Sequence, residues 1–359
     1  MKSETESRIF PVVELFRKIG LFTIICIAGA VAFSSCNDDD DEEETKPTLG
    51  GDLYYNLPAY ALADSVIELD GGGITYPEQD LITYRWTSLD MLADTVYGTH
   101  CKVTVPDSIG IFSVILTATS DGYYDRTATK YLTSIKLGPD GSVTDGPVYT
   151  QTFTDSRDNH EYGITEIGNL VWFAENLNWA GAGNGYAKTD VMGEITGRLY
   201  TWNDATGGVS ASGLGRGPQG VCPEGWSIPT KEDWEDLGKA LNAGQDVAFN
   251  SNWIGLGDDV MINAKFNGEK FWPYTPDCNP ENRFGWAALS GGSCTNNYNN
   301  YSGLRSYGFW WSATEMASDK ACYRYIYYNR PDFNMNYTDK DSFGASVRCV
   351  RLKENRNVQ

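Results

Sequence analysis

The sequence predicts two folded regions of different class, an all-β domain followed by a larger α+β domain. Short stretches in which apolar and polar residues alternate lie between Leu53 and Leu137, and this alternation is typical of half-buried strands. Ten of the eleven tryptophans lie between Trp172 and Trp311, so the second region has a composition of its own. A helical pattern follows Thr230 within it. The chain of 359 residues is long enough for two or three domains with buried cores.

Residues 1–35 are predicted to be a lipoprotein signal peptide. Residues 21–33 form an apolar run preceded by Arg17 and Lys18, too short to span a bilayer as a helix but suited to a signal peptide. The run ends in Ala-Phe-Ser-Ser before Cys36, which resembles the lipobox of bacterial lipoproteins. That resemblance implies cleavage before Cys36, acylation of this residue and anchoring in outer-membrane lipid. The alternative is ordinary signal cleavage, which leaves Cys36 as a free thiol.

Seven consecutive acidic residues come soon after this cysteine. They are Asp38, Asp39, Asp40, Asp41, Glu42, Glu43 and Glu44. Their mutual repulsion predicts a solvated tether over residues 36–51. Acidic residues directly after a lipidated cysteine also resemble the surface-export signal of Bacteroidota lipoproteins, which implies a protein that faces the cell exterior. The net charge of −20 argues against nucleic acid as a partner, because such binding needs clustered Lys and Arg.

Residues 52–137 are predicted to form a β-sandwich. A strand is predicted around Trp86, and two similar alternating stretches lie around Val103 and Leu116. Several short strands separated by Gly and Pro turns favour an immunoglobulin-like sandwich. The region is similar to the PKD-like spacer modules of surface proteins, which implies a role as a stalk. Residues 138–147 are rich in Gly and Pro and are predicted to be a linker.

The region from residue 148 to residue 353 contains a set of short motifs, none of which is a catalytic signature. They are Asp155-Ser-Arg157-Asp158, Cys222-Pro-Glu-Gly-Trp226-Ser-Ile-Pro229-Thr230, Phe309-Trp310-Trp311-Ser312-Ala-Thr314-Glu315 and Ser346-Val-Arg348-Cys349-Val350. Together they resemble the Fibrobacter succinogenes major paralogous domain, a family of bacterial surface proteins related to the C-type lectin fold. The resemblance implies an α+β C-type-lectin-like domain over residues 148–353, with residues 354–359 as a tail. It also implies a domain that presents a shaped surface, although related folds host unrelated functions.

Two local structures in this domain follow from the residues themselves. Gly168-Asn169 is a two-residue turn pair between apolar stretches, which predicts a hairpin. Thr230 is a predicted N-cap followed by acidic residues, and Trp234 and Leu241 then fall on one face of a helix that ends at Gly244. The acidic side chains of this helix are interpreted as a solvated face with capping charge.

The stretch from residue 272 to residue 307 is crowded with Asn, Gly, Ser and Tyr. This composition is typical of long loops and adaptable recognition surfaces. C-type-lectin-like folds bind ligands through a long loop region, so the resemblance makes this segment the expected binding region. Its candidate ligand-binding residues are Tyr274, Asn297, Tyr298 and Tyr301. The alternative is a loop with a purely structural role.

Five cysteines lie in the C-terminal domain, and the sequence alone leaves their connectivity open. By resemblance to lectin-like folds, in which the first helix region is tied to the last strand, a Cys222–Cys349 disulfide is implied. A second disulfide between Cys278 and Cys294 is expected to close the Asn-rich loop, which leaves Cys322 over. In the first domain, Cys101 lies on the apolar face of a predicted strand and is expected to be buried and free.

No metal or other cofactor is expected. Trp202-Asn203-Asp204 also occurs in the calcium site of true C-type lectins, where it lies late in the fold, close to the last cysteines. Here it precedes Cys222 by eighteen residues. We therefore interpret Trp202 as a core residue followed by ordinary turn residues.

The sequence lacks a recognisable catalytic constellation. His100 and His160 accompany no nucleophile elbow, paired-His metal motif or phosphate-binding glycine loop. We expect a non-catalytic cell-surface lipoprotein whose lectin-like domain binds a glycan, a matrix polymer or a surface protein. The first alternative is a structural spacer of the cell envelope without a ligand of its own. The second is an enzyme of the formylglycine-generating or glycosidase type.

Overall fold

The structure is a computed structural model that describes residues 45–137 and 149–354. The predicted signal peptide, Cys36, the acidic run from Asp38 to Glu44, the linker and the tail beyond residue 354 lie outside these residues. The described part of the chain is mostly β, with 41% of its residues in strands and 10% in helices. Among the described helices, none combines the length and the apolar character needed to cross a membrane.

Residues 45–137 form two β-sheets that enclose a shared core. The strands are β1 (Gly50–Tyr55), β2 (Tyr60–Leu62), β3 (Val66–Tyr76), β4 (Thr83–Thr87), β5 (Val96–Tyr97), β6 (His100–Thr104), β7 (Gly110–Thr119) and β8 (Arg126–Ile135). One sheet has the order β1-β3-β6 and the other has the order β2-β8-β7-β4-β5.

The core between these sheets is built from the alternating residues that predicted the strands. Trp86, Val103 and Leu116 are fully buried, and the ring of Tyr55 meets Trp86 edge-on with 5.4 Å between centroids. Leu49 is also buried, and β1 begins at Gly50, so this domain starts slightly before the predicted boundary at residue 52.

The C-terminal domain contains thirteen further strands and three α-helices within the described residues. The strands are β9 (Thr152–Thr154), β10 (Glu161–Ile167), β11 (Leu170–Phe173), β12 (Tyr200–Thr201), β13 (Lys265–Phe266), β14 (Glu269–Lys270), β15 (Gly291–Thr295), β16 (Asn300–Leu304), β17 (Tyr307–Ala317), β18 (Lys320–Tyr327), β19 (Asn334–Asp339), β20 (Gly344–Ala345) and β21 (Val350–Leu352). The helices are α1 (Asp190–Thr196), α2 (Trp202–Thr206) and α3 (Lys231–Leu241).

Two main sheets organise this domain. One has the order β21-β11-β10-β9, and the other has the order β12-β20-β15-β17-β18-β19, with β16 paired to β15. The predicted hairpin is confirmed, since β10 and β11 pair antiparallel up to the Ile167–Leu170 pair. Gly168 has a φ of 58° in the connecting turn, where glycine carries no steric penalty.

The predicted helix is α3, and its N-terminus is capped as the sequence indicates. The Thr230 hydroxyl accepts from the Asp233 amide (3.3 Å), and the Asp233 carboxylate accepts from the Thr230 amide (2.8 Å). Trp234 and Leu241 lie in the core, and the Gly244 amide closes the far end by donating to the Lys239 carbonyl (2.8 Å). Local residue chemistry was therefore sufficient to predict this element.

The centre of the domain is an aromatic core that also contains a buried arginine. The tryptophans Trp172, Trp234, Trp286 and Trp310 are all fully buried. Arg348 is buried with them, lies 4.3 Å from the ring centroid of Trp286, and donates to the carbonyls of Phe173 (3.2 Å) and Ala287 (2.8 Å). Backbone oxygens therefore satisfy this guanidinium where an exposed arginine would bind water.

The two domains contact each other directly. Ile135 of β8 belongs to an apolar cluster that also contains Met192 and Phe266. Beside it, the Asn267 side-chain amide donates to the Ser134 carbonyl (2.9 Å) and accepts from the Lys136 amide (3.2 Å). The Asn267 side chain thus supplies the hydrogen-bond partners that a neighbouring strand would give to the backbone at the end of β8.

Candidate functional site

An open polar cleft lies where helix α2, the loop after β15 and the turn after β19 meet. Its volume is about 380 Å³. The lining residues are Thr201, Asn203, Asp204, Asn296, Asn297, Asp341 and Ser342. Every one of these side chains donates or accepts hydrogen bonds, and none of them is positively charged. The cleft is suited to a ligand that carries many hydroxyl or amide groups, and it disfavours an anion.

The helical wall of the cleft is fixed by Trp202. The Thr201 hydroxyl caps α2 by accepting from the Asp204 amide (3.1 Å). The indole of Trp202 is fully buried and donates to the Ser312 carbonyl (2.8 Å). Because this anchor fixes the first turn, Asn203 and Asp204 are held at the cleft.

The loop wall is tied to the helical wall by one tyrosine. Asn296, Asn297 and Tyr298 have φ values of 52°, 50° and 62°, a left-handed run that Asn tolerates better than Tyr does. The Tyr298 hydroxyl accepts from the Thr201 amide (2.8 Å) and donates to the Asp204 carboxylate. Burial, followed by the contact with Asp204, raises the pKa of Tyr298 well above its ordinary value, so this hydroxyl stays a donor.

The third wall is the turn between β19 and β20. The Asp339 carboxylate accepts from the amides of Asp341 (2.9 Å) and Ser342 (2.8 Å), and these two bonds lower the pKa of Asp339. The Asn203 side chain donates to the Asp341 carboxylate. Strand β20 then pairs with both β12 and β15, which joins all three walls through one sheet.

The structure brings only part of the predicted ligand-binding set to this cleft. Asn297 lines it, whereas Tyr298 supports its wall. Tyr301 contacts Tyr186 edge-on, with 5.4 Å between ring centroids, and does not line the cleft. Tyr274 is 80% exposed and also lies outside the lining.

Six of the seven lining residues were not among the predicted ligand-binding residues. Trp202 is indeed a core residue, but the interpretation of Asn203 and Asp204 as ordinary turn residues is wrong because both lie in α2. Asp341 and Ser342 belong to a stretch of short polar residues that predicts a turn. Nothing in that local pattern indicates which distant segment the turn meets.

The carboxylates of the cleft are engaged with neighbouring donors. Asp204 accepts from Tyr298, and Asp341 accepts from Asn203. Over residues 45–137 and 149–354, no three His, Cys, Asp or Glu side chains converge in a way that could hold a metal ion.

A second cleft of about 490 Å³ lies along α3, and its acidic residues serve the fold. Glu235 accepts from the Phe249 amide (2.9 Å), and Asp236 accepts from the Asn169 amide (2.7 Å). These carboxylates are therefore more than the solvated face that the sequence indicated, because they fix the loops beside the helix. The lining is Leu214, Glu232, Glu235, Asp236, Lys239, Asp246, Val247 and Ala248.

The disulfide implied by the resemblance is present. Cys222 and Cys349 are bonded to each other across 127 positions of sequence. The bond joins the segment before α3 to the residue that precedes β21.

The second expected disulfide is wrong, because Cys278 and Cys294 are free thiols. Cys294 lies within β15, opposite Gly344 of β20 and Tyr301 of β16. Cys278 lies in a separate turn that it closes with Thr275. Strand pairing on both sides keeps Cys294 inside the sheet and away from that turn.

The remaining thiols are buried and protonated. Cys101 is buried and free, as expected. Burial raises the pKa of Cys294 to about 12 and that of Cys322 to about 11. A thiol with such a pKa is a poor nucleophile near neutral pH.

The chain belongs to the Fibrobacter succinogenes major domain family, whose model matches residues 165–351. Family membership indicates a surface-associated protein. The matched residues include all three walls of the cleft and both disulfide cysteines. Comparisons with curated proteins and with solved structures gave no match.

Proposed function

We propose that the protein is a lipoprotein of the outer membrane, held by acylated Cys36 and facing the cell exterior. The apolar run before the cysteine, the acidic residues from Asp38 to Glu44 and the surface-associated family support this location. Cys36→Ala should move the protein from membrane to soluble fractions, and unchanged membrane partition contradicts the lipid anchor. Neutral replacements of the acidic run should protect the protein from added protease while the anchor is kept.

We also propose a C-type-lectin-like fold for the C-terminal domain and an immunoglobulin-like, PKD-like sandwich for residues 52–137. The Cys222–Cys349 disulfide, which closes most of the family domain, supports the first assignment. A three-stranded sheet facing a five-stranded sheet around Trp86 supports the second.

The proposed activity is non-catalytic binding of an extracellular ligand in the cleft between α2, the loop after β15 and the turn after β19. The observation that carries it is the convergence of seven hydrogen-bonding side chains from three separate segments on one open cleft. Side chains that only stabilise loops would face the protein, whereas Asn297 and Ser342 are exposed. A glycan, a matrix polymer or a surface protein supplies the hydroxyl and amide groups that such a cleft binds.

Two observations support binding without catalysis. Cys349 is consumed by a disulfide and Cys322 is buried with a raised pKa, so these two do not form the reactive pair of a formylglycine-generating enzyme. The carboxylates of Asp204 and Asp341 each accept a hydrogen bond from a neighbouring side chain. A glycosidase needs one carboxyl that is free to donate a proton and another that is free to attack or to activate water.

An array of immobilised glycans and matrix proteins tests the proposal with the full mature chain. Asn297→Gly keeps the left-handed backbone and removes the side chain, so it should abolish the wild-type signal. Asn159→Gly is the matched control, because Asn159 also has a positive φ (62°) and lies outside the cleft. A silent wild-type array favours the structural spacer. A signal that survives Asn297→Gly places the binding site elsewhere.

A further inference from the structure

Aromatic side chains cover one face of the sheet formed by β17, β18 and β19. Tyr307 of β17 lies directly opposite Tyr327 of β18. Two positions further along β17, Phe309 lies opposite Tyr325. Directly opposed residues of an antiparallel pair project on the same side, so these four rings share one face of the sheet.

The four rings stand side by side in near-parallel planes. Centroid distances are 4.4 Å for Tyr307–Tyr327, 5.3 Å for Tyr307–Phe309 and 5.9 Å for Phe309–Tyr325, with interplanar angles of 22°, 15° and 29°. All four side chains are half-buried. Stacked rings cover each other's faces, so they present their edges and, on the tyrosines, their phenol hydroxyls.

Two asparagines of β19 border the aromatic rows. Asn334 lies opposite Tyr325 and is buried, with its amide donating to the Asp332 carbonyl (3.1 Å). Asn336 lies opposite Tyr323 and is exposed. Tyr323 itself is buried, and the exposed Asn336 lies level with it, so from Asn336 to Tyr327 the surface extends ~14 Å along the strands, at the usual rise per residue. We define the tyrosine face by its residues, which are Tyr307, Phe309, Tyr323, Tyr325, Tyr327, Asn334, Asn336 and Phe343.

The tyrosine face continues into the polar cleft. Phe343 stacks on Tyr323 and meets Phe309 edge-on, with 5.4 Å between centroids in both pairs. The residue before Phe343 is Ser342, which lines the cleft. The two surfaces therefore share one short segment of chain.

We propose that the tyrosine face binds an extended, uncharged polysaccharide whose chain runs from the face into the cleft. This inference rests on the proposed binding role of the cleft, and it names the ligand class. The phenol hydroxyls and the Asn336 amide can bond sugar hydroxyls, and the electropositive ring edges can contact sugar oxygens. The length of the face accommodates more than one sugar, whereas the cleft alone suits a chain end.

Charge selects a neutral polymer over an acidic one. The named residues of the tyrosine face carry no charged side chain, and the adjoining cleft contributes the carboxylates of Asp204 and Asp341 without a cation. The whole chain has a net charge of −20. Uronate or sulfated polymers therefore meet repulsion from the cleft carboxylates and from the net negative charge, and the tyrosine face offers them no cation.

Affinity electrophoresis of the full mature chain tests this directly, in native gels that contain one soluble polymer each. The neutral probes are mannan, mixed-linkage β-glucan, arabinoxylan and dextran, and the acidic probes are polygalacturonate and alginate. At least one neutral polymer should retard the wild type, and the acidic ones should not. Tyr325→Ala and Tyr327→Ala should each weaken the apparent Kd about tenfold or more, as truncation of a central interface aromatic does.

Tyr337→Ala is the matched control, because Tyr337 is an exposed tyrosine of β19 that lies opposite Cys322, on the other side of the sheet. Tyr327→Phe removes only the hydroxyl and provides a second test if an alanine variant melts early. Suppose that Tyr325→Ala and Tyr327→Ala are retarded as strongly as the wild type, while Asn297→Gly is no longer retarded. That result overturns binding at the tyrosine face and leaves binding in the cleft intact. If only acidic polymers, or no polymer at all, retard the wild type, the inference is overturned. In that case, binding to a protein on the array described above would still support the proposed role of the cleft.

Discussion

Removing the Cys222–Cys349 disulfide should lower the stability of the C-terminal domain more than replacing any free cysteine of that domain. The bond closes a loop of 127 residues. In the loop-entropy relation a loop of this length constrains the unfolded chain by about 5 kcal/mol. For a domain of roughly 200 residues, that free energy corresponds to a fall in Tm of about 10–20 °C.

The assay is thermal unfolding of the Cys222→Ala/Cys349→Ala variant, followed by circular dichroism. Cys322→Ala is the control, because Cys322 is a buried but unbonded cysteine of the same domain. It should show a smaller fall, caused by the lost volume alone. Equal falls in the two variants refute the loop-entropy reasoning, and a non-reducing peptide map that links Cys349 to another cysteine refutes the pairing itself.

Three further predictions concern the core, the helix cap and the domain contact. Arg348→Lys should lower the free energy of unfolding in urea by about 3 kcal/mol, because one ammonium cannot replace a guanidinium that bonds several buried carbonyls. The control is Arg330→Lys at an exposed arginine, and an equal loss in both variants contradicts the role assigned to Arg348. Burial raises the pKa of Asp233 from 3.8 to about 6, so the folded state binds this proton more tightly and stability falls as pH rises through that interval. Asp233→Asn should remove this part of the slope of Tm against pH, and an unchanged slope assigns it to other groups. Asn267→Ala should weaken the domain contact by about 1–2 kcal/mol. We expect calorimetry to resolve two transitions for this variant and one for the wild type, and identical traces contradict the role of Asn267.

The helix and the hairpin were predictable because their causes are local. Thr230 and Asp233 lie three positions apart, and both bonds of the capping box form within that distance. Gly168-Asn169 fixes its turn in the same way. Each element is specified by residues that are already neighbours in the sequence.

The cleft was not predictable from the same patterns because it is made by sheet pairing. Asn203, Asn297 and Asp341 lie far apart in sequence and meet only because β12, β20 and β15 are adjacent. The tyrosine face presents a related difficulty. The alternation of Tyr323 and Tyr325 predicts a strand. However, Trp310 and other apolar residues are buried on the opposite side of the same sheet, so the sequence pattern does not indicate which of the two faces is exposed.

The Cys222–Cys349 bond has a consequence for the display outside the cell that we propose. Every segment between the two cysteines, including the loop that carries Asn297 and the turn that carries Asp341, lies inside one covalent ring. A single proteolytic cut within that ring opens a loop but releases no fragment. With the lipid anchor that we propose at Cys36, both pieces of a nicked chain would stay on the cell, because the disulfide joins them. Such a cut would weaken the proposed binding before it removed the molecule.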